Sequence, residues 1–354
     1  MRPLLDRITG LPLRLARHHR PRVACEDPRI LVIRRNRMGD MLCTLPLLRV
    51  LRIHFPAAQI SVACDEPGAP IAKACTAVDR VILLNTTWTR RMPPVFNAVH
   101  LQNHDWVIVT KGGFDRRLAR LAPLTHAAVT VGFEDAAPGH SDFYTHPVVL
   151  PLEAALNQHQ IETQFRLLQP LDISVPRFEQ NMLDLRLPES ALRFARTRLA
   201  APPFSTGRGF AVVNLSCNRP VGFDLEDYAR VIGHLLKATD LSVMLVGVER
   251  DQVRLSQLAS RLSSSRVAPV RTEGALELAA LLKQAALLLT PEGGAGHLAA
   301  AMQTPTVVLW QGAHGKWRPR GPRNVLVPGE LPSGAYDVEK VCGAIDSLLG
   351  QAKG

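Results

Sequence analysis

The sequence predicts an α/β protein made of two doubly wound parallel-sheet domains in tandem. Three observations carry this. Short apolar runs rich in β-branched residues alternate with helical stretches, the pattern of strands buried on both faces of a parallel sheet. The alternation stops near residue 170 and restarts near residue 210. The 354 residues of the chain amount to about two domains at the usual ~150 residues each.

In the first array the spacing predicts strands at Ile30–Ile33, Gln59–Ala63, Arg80–Leu84, Trp106–Thr110 and Ala128–Gly132. Helices are expected at 43–55, 69–76 and 114–121. Residues 151–200 read as mostly helical, with breaks at Pro170, Pro176 and Pro188, so a linker is expected at 172–188. The second array predicts strands at Phe210–Leu215, Ser242–Val246, Val267–Val270, Leu287–Thr290 and Thr306–Leu309. Its helices are expected at 225–238, 250–262, 275–285 and 295–302, with a last one at 337–350. The division is a basic extension at 1–28, a first domain at 29–175, a second at 176–336 and a C-terminal helix at 337–354. Two such domains facing each other leave a cleft, a frequent ligand site.

Composition narrows the function. Hydrophobic residues are 46% and charged residues 21%, an ordinary globular balance that excludes a disordered or collagen-like chain. Aromatics at 5% are too sparse for a platform that stacks single-stranded nucleic acid. No apolar run reaches the ~18 residues of a membrane-spanning helix. The net charge is +11, yet residues 1–24 alone hold six Arg and one Asp, or +5. Residues 25–175 carry only +1. A basic tail points to an anionic surface, membrane or nucleic acid. Leu4, Leu5, Ile8, Leu11 and Leu15 recur there at near-helical spacing, so the tail either lies on a membrane face or packs on the first domain. Six scattered cysteines, none at zinc or redox spacing, read as reduced thiols of a cytoplasmic protein. Arginines interrupt any signal-peptide core.

Four strand exits carry chemistry. Arg34-Arg35-Asn36-Arg37-Met38-Gly39-Asp40 follows the first strand, where open α/β sheets bind ligands. No G-x-G-x-x-G is present. Asp40 is a candidate general base toward a hydroxyl nucleophile, or a helix cap; the spacing leaves both open. Arg34, Arg35 and Arg37 could hold an anionic group. Lys111-Gly112-Gly113-Phe114-Asp115-Arg116-Arg117, with Arg120, offers a second basic patch or a solvated helix face. Val246-Gly247-Val248-Glu249-Arg250 places Glu249 where it could take ribose hydroxyls or begin a helix. Thr290-Pro291-Glu292-Gly293-Gly294-Ala295-Gly296-His297 runs a buried strand into a glycine-rich turn and a small-residue helix. Such a turn lets amides approach a phosphate at a helix N-terminus. Glu292 can accept from sugar hydroxyls, and His297 is a ligand contact or a packing residue.

In this order the motifs resemble glycosyltransferase family 9, the ADP-heptose:lipopolysaccharide heptosyltransferases, over about residues 29–345. The segment Arg29–Ile33 with Met38–Pro46, then Leu51-Arg52 and Phe55-Pro56, is similar to the family's opening. Val78–Ile82 resembles its third strand. Thr290–Ala301 with Thr304-Pro305 and Trp310 is similar to its C-terminal signature. The resemblance implies a GT-B fold, with the acceptor on the first domain and the nucleotide-sugar on the second. It implies an inverting transfer that uses no metal and no cofactor, the nucleotide-sugar being a co-substrate. Asp40 matches the family's base. Glu292, Gly293, Gly294, Ala295, His297, Glu249 and Ser216 fall on the donor side. Arg34, Arg35, Arg37, Lys111, Arg116, Arg117 and Arg120 would meet the acceptor's phosphates. The sequence departs from the family at two points. Val221 falls where the family has Lys, with Arg219 as a possible substitute, and Glu292 stands where the family has Asp. The competing readings are a GT-B transferase or epimerase with another nucleotide-sugar, a non-turning-over binding protein of the same fold, and, on charge alone, a nucleic-acid binder; no nucleic-acid module supports the last.

Overall fold

The structure is a computed structural model. It describes residues 26–35, 37–84, 101, 103–111, 113–134, 143–177, 183–217, 222–312, 315–321, 323–330 and 334–350. The chain forms two compact units that divide between Asp184 and Leu185, within the stretch 172–188.

The first unit runs β1 (Ile30–Arg34), α1 (Met38–Leu42), α2 (Leu45–His54), β2 (Ile60–Cys64), α3 (Ala69–Ala74), β3 (Arg80–Leu83), β4 (Trp106–Val109), α4 (Arg116–Ala119), α5 (Leu121–Leu124), β5 (Val129–Glu134), β6 (His146–Val149), α6 (Leu152–Asn157) and α7 (Gln160–Phe165). Its strands form one six-stranded sheet in the order β3-β2-β1-β4-β5-β6. Ile30 pairs with Ile60 on one side and Trp106 on the other, both in parallel. Every residue of β1 and β2 is buried, as strands covered by helices on both faces must be. The expected helix 43–55 is α2, and a short helix that was not expected, α1, precedes it. Pro46 lies at the second position of α2, where its missing N–H costs no intrahelical bond. Leu47, Leu48, Val50 and Leu51 of that helix are fully buried. The expected helix 114–121 becomes two single turns, α4 and α5.

The second unit runs α8 (Glu189–Leu199), β7 (Phe210–Asn214), α9 (Leu225–Ala238), β8 (Ser242–Val246), α10 (Gln252–Leu262), β9 (Val267–Pro269), α11 (Ala275–Leu282), β10 (Leu287–Pro291), α12 (Gly294–Met302), β11 (Thr306–Trp310), β12 (Asn324–Pro328) and α13 (Val338–Gly350). Its sheet has the order β12-β11-β10-β7-β8-β9, again parallel. Counted from the first strand of each unit, the two orders are the same doubly wound 3-2-1-4-5-6 arrangement. Helix α9 opens on a capping box. Asp224 accepts from the amides of Glu226 and Asp227 at 2.7 and 3.0 Å, and Asp227 returns to the Asp224 amide at 3.1 Å. Its inner face, Tyr228, Val231, Ile232 and Leu235, joins β7, β8 and α13 in one core.

Two strands are absent from the sequence expectation, β6 and β12. Both are edges of their sheets, with residues alternating between burial and exposure or only partly covered. Their apolar runs, Val148-Val149 and Val325–Val327, are shorter than those by which the central strands are recognised. Among the described residues no helix is long and apolar enough to cross a membrane. The tail at 1–24 lies outside the described residues.

Candidate functional site

In a doubly wound sheet the connections from the first and fourth strands leave toward opposite faces, and the gap between them at the carboxyl edge is where ligands bind. Here the gaps lie between β1 and β4 and between β7 and β10. Arg34 closes β1, Arg35, Arg37 and Asp40 follow it and Lys111 follows β4; Ser216 and Glu292 to Ala295 follow β7 and β10, whereas Glu249 follows β8.

At the first gap, Arg34 ends β1 and is only 2% exposed. One terminal nitrogen of its guanidinium donates to the Thr110 carbonyl beyond β4, and the other to Asp40 Oδ1. Its Nε finds no partner. Burial pushes this guanidinium below its ordinary pKa, and the Asp40 charge opposes the shift. Asp40 Oδ2 accepts the Arg37 amide at 3.2 Å, and its backbone carbonyl accepts the Thr44 hydroxyl at 2.9 Å. The carboxylate is thus held on both oxygens while its side chain stays 17% exposed. The cap that the spacing allowed is present, and the carboxylate keeps part of its surface open beside it. Arg34, expected to meet acceptor phosphates, instead stands behind Asp40.

The other acceptor-side residues divide. Arg35 pairs with Asp65, the buried residue just after β2, at 3.2 Å. Lys111 pairs with Asp115, which caps α4 by accepting the Arg117 and Leu118 amides at 2.9 and 3.3 Å. Arg120 is half-buried. Arg37, Arg116 and Arg117 are exposed and carry the outward positive charge of this edge.

At the second gap a matching cross-link appears. Asn214, the last residue of β7, donates to the Thr290 hydroxyl of β10 at 2.9 Å and to the Ser216 carbonyl at 3.2 Å. Arg34 and Asn214 each bridge the first and fourth strands of their sheets, over the same 76-residue separation. Ser216 donates to Asp251 Oδ2 at 2.6 Å and accepts the Val248 amide at 2.8 Å, so its hydroxyl is committed within the protein. Glu249 is exposed and paired with Arg271 at 2.9 Å.

Beyond β10, Glu292 places Oε2 in a buried position without a hydrogen-bond partner. Gly293 is extended, no side chain caps α12, and a methyl group on Gly293 would meet no heavy atom within 4 Å. Among the described residues no side chain caps the first amides of α12, and uncapped amides at a helix start can bind an anion. Gly294 and Ala295 lie in that first turn. Gly296 has another reason: a Cβ there would lie 2.8 Å from Pro319 Cγ, so it is a packing glycine. His297 is buried in the same helix, 6% exposed. Arg219 and Val221 lie outside the described residues, as does the question of the replaced Lys. Among the described residues no cluster of three or more His, Cys, Asp or Glu side chains is placed to hold a metal ion.

The sequence did not single out Asn214, Asp251, Asp65 or Tyr336, the last 7% exposed, and it named Thr290 only as the start of the glycine-rich motif. The strand ends at Asn214 and Thr290 carried a usable signal, since a polar residue closing an apolar strand needs a partner. Tyr336 carried none.

A family model described as glycosyltransferase family 9 (heptosyltransferase) matches residues 95–342. A curated Haemophilus influenzae protein with a provisional glycosyltransferase assignment is 22% identical over 320 residues, 82% of this chain and 86% of that protein. Among solved structures, the glycosyl transferase family 9 protein of Veillonella parvula superposes with a TM-score of 0.78 at 18% identity, covering 92% of this chain and 97% of that one. The E. coli ADP-heptose lps heptosyltransferase II gives 0.73 at 18% identity, covering 92% and 100%.

Proposed function

The chain belongs to glycosyltransferase family 9, and from that premise we propose that it moves a heptose from ADP-heptose to a phosphorylated lipopolysaccharide-core acceptor with inversion at the anomeric carbon. It is a glycosyltransferase of GT-B architecture. The observation that carries the mechanism is the Asp40 carboxylate, fixed by Arg34 and the Arg37 amide yet still open at the strand exit. Asp40 takes the proton of the acceptor hydroxyl as that oxygen attacks the anomeric carbon opposite the diphosphate. The carbon–oxygen bond to the diphosphate breaks, and ADP leaves with the bonding pair. Preorganised amides at the start of α12 stabilise the charge that develops on it. Arg219, which follows β7 in sequence, is proposed as the accompanying cation. Arg37, Arg116 and Arg117 meet the acceptor's phosphates. The proposed reaction uses no cofactor. The name of the E. coli structural relative supports the choice of ADP-heptose and lipopolysaccharide.

A donor screen tests the reading. Purified protein is incubated with truncated lipopolysaccharide cores and ADP-heptose, or with UDP- and GDP-sugars, and products are read by mass. One added heptose from ADP-heptose alone is expected. Transfer only from another nucleotide-sugar reassigns the donor, and binding without release of nucleoside diphosphate supports a non-catalytic protein.

The α12 turn has its own test. Gly293→Val should leave the melting temperature unchanged, because a Cβ at this position meets no heavy atom within 4 Å. It should weaken ADP binding about tenfold or more, which is ~1.4 kcal/mol. Unchanged affinity by calorimetry would move the diphosphate elsewhere.

The basic tail is proposed to bring the enzyme to the inner face of the cytoplasmic membrane, each basic group contributing about 1 kcal/mol near anionic lipid. Deleting residues 1–24 should abolish co-sedimentation with anionic liposomes without lowering the melting temperature. A large drop in melting temperature, with no liposome binding by the intact chain, would make the tail part of the fold.

A further inference from the structure

Two buried polar atoms of the second unit lack partners, Tyr336 Oη and Glu292 Oε2. Buried hydroxyls and carboxylates in folded proteins are nearly always paired, so each orphan needs an explanation. Both lie at the carboxyl edge of the same sheet. Glu292 follows β10 directly, and Tyr336 lies on the return from β12, with β11 between the two strands. The return is firmly placed. Ala335 bridges to Gly222 in parallel, and a Cβ on Gly222 would lie 2.3 Å from the Gly334 carbonyl oxygen. The Tyr336 ring meets Phe223 edge to face at 5.9 Å. Cys217, beyond β7, ties the Glu292 loop to this group by donating to its carbonyl at 3.6 Å.

Burial raises the pKa of the Tyr336 phenol, and the nearby Cys217 and Glu292 add to the rise. The phenol is therefore protonated and can donate. A carboxylate oxygen can only accept. An anion would be repelled by the carboxylate, and an apolar group would leave both atoms unpaired. A ligand hydroxyl set between them could accept from the phenol and donate to the carboxylate.

We propose that Tyr336 is a specificity-determining residue that, together with Glu292, reads one hydroxyl of the nucleotide-sugar donor. The Tyr336 hydroxyl donates to the ligand hydroxyl, which donates in turn to Glu292 Oε2. The inference rests on the donor reading above for its ligand. The hydroxyl belongs either to the transferred sugar or to the ribose of the nucleotide.

Tyr336→Phe tests this, with ADP and ADP-heptose as calorimetric probes. Removing a hydroxyl that has no partner in the unliganded protein should raise the melting temperature by about 2–4 °C or leave it unchanged. ADP-heptose affinity should fall about five- to tenfold, the worth of one hydrogen bond. An equal fall for ADP places the ligand hydroxyl on the ribose, and a fall for ADP-heptose alone places it on the sugar. Unchanged affinity for both ligands overturns the assignment to Tyr336 while leaving the donor reading intact. So does a lowered melting temperature, which would show that the hydroxyl is bonded within the protein. Failure of the intact chain to bind either probe overturns the donor reading, and this inference with it.

Discussion

Replacing Asp40 with Asn lowers the rate of sugar transfer by roughly 100- to 10,000-fold, the usual worth of a positioned general base. ADP affinity stays within about twofold, because the diphosphate is assigned to the other unit. The substitution is not silent for stability. One Asp40 oxygen takes the buried Arg34 guanidinium and the other takes the Arg37 amide. An Asn oxygen can serve only one of these, so folding is weakened by about 1–3 kcal/mol. Rates must therefore be compared on protein shown to be folded by its melting curve. Normal turnover in folded Asp40→Asn protein would leave Asp40 as a cap alone.

Arg34→Met produces the largest expected loss of stability. It strips the cation from Asp40 and the donor from the Thr110 carbonyl, both at the junction of β1 and β4. Breaking a buried pair by removing one partner costs about 3–5 kcal/mol. In a unit of this size that lowers the melting temperature by about 6–20 °C. Arg34→Lys separates charge from geometry. Its compact ammonium restores a charge near Asp40 but cannot span both acceptors as the fork does. It should recover part of the stability and less of the transfer rate. Full recovery of both by Lys would show that only the charge matters, and an unchanged melting temperature in Arg34→Met would contradict the pairing.

How much of this was legible depends on burial. β1, β2, β7, β8, β10 and β11 are covered on both faces and announce themselves as apolar runs. β6 and β12, half-exposed at the edges, do not. The Glu292–Ala295 turn could be picked out because it follows such a run directly, and Asp40 because it lies in the first helical turn after β1. Arg34 is buried and paired with Asp40, which its place among neighbouring arginines does not reveal. In a run of neighbouring arginines, sequence does not show where the strand ends, and the last strand residue faces inward while Arg37 faces water. Three of the basic residues expected to meet the acceptor, Arg34, Arg35 and Lys111, are committed to Asp40, Asp65 and Asp115. Each carboxylate stands at or near the start of a helical turn, and spacing alone does not reveal such pairs. Tyr336 became visible only when its hydroxyl proved buried and unpartnered. An absence of that kind has no sequence pattern.

The central claim, that Asp40 delivers an acceptor hydroxyl to the face opposite the leaving diphosphate, fixes the stereochemistry of the product. The direct measurement is the anomeric configuration of the newly formed glycosidic bond, read by NMR on the product of a preparative reaction. The account predicts the configuration opposite to that of the donor sugar. Retention would require an enzyme-bound intermediate or attack from the same face, and would contradict the role assigned to Asp40.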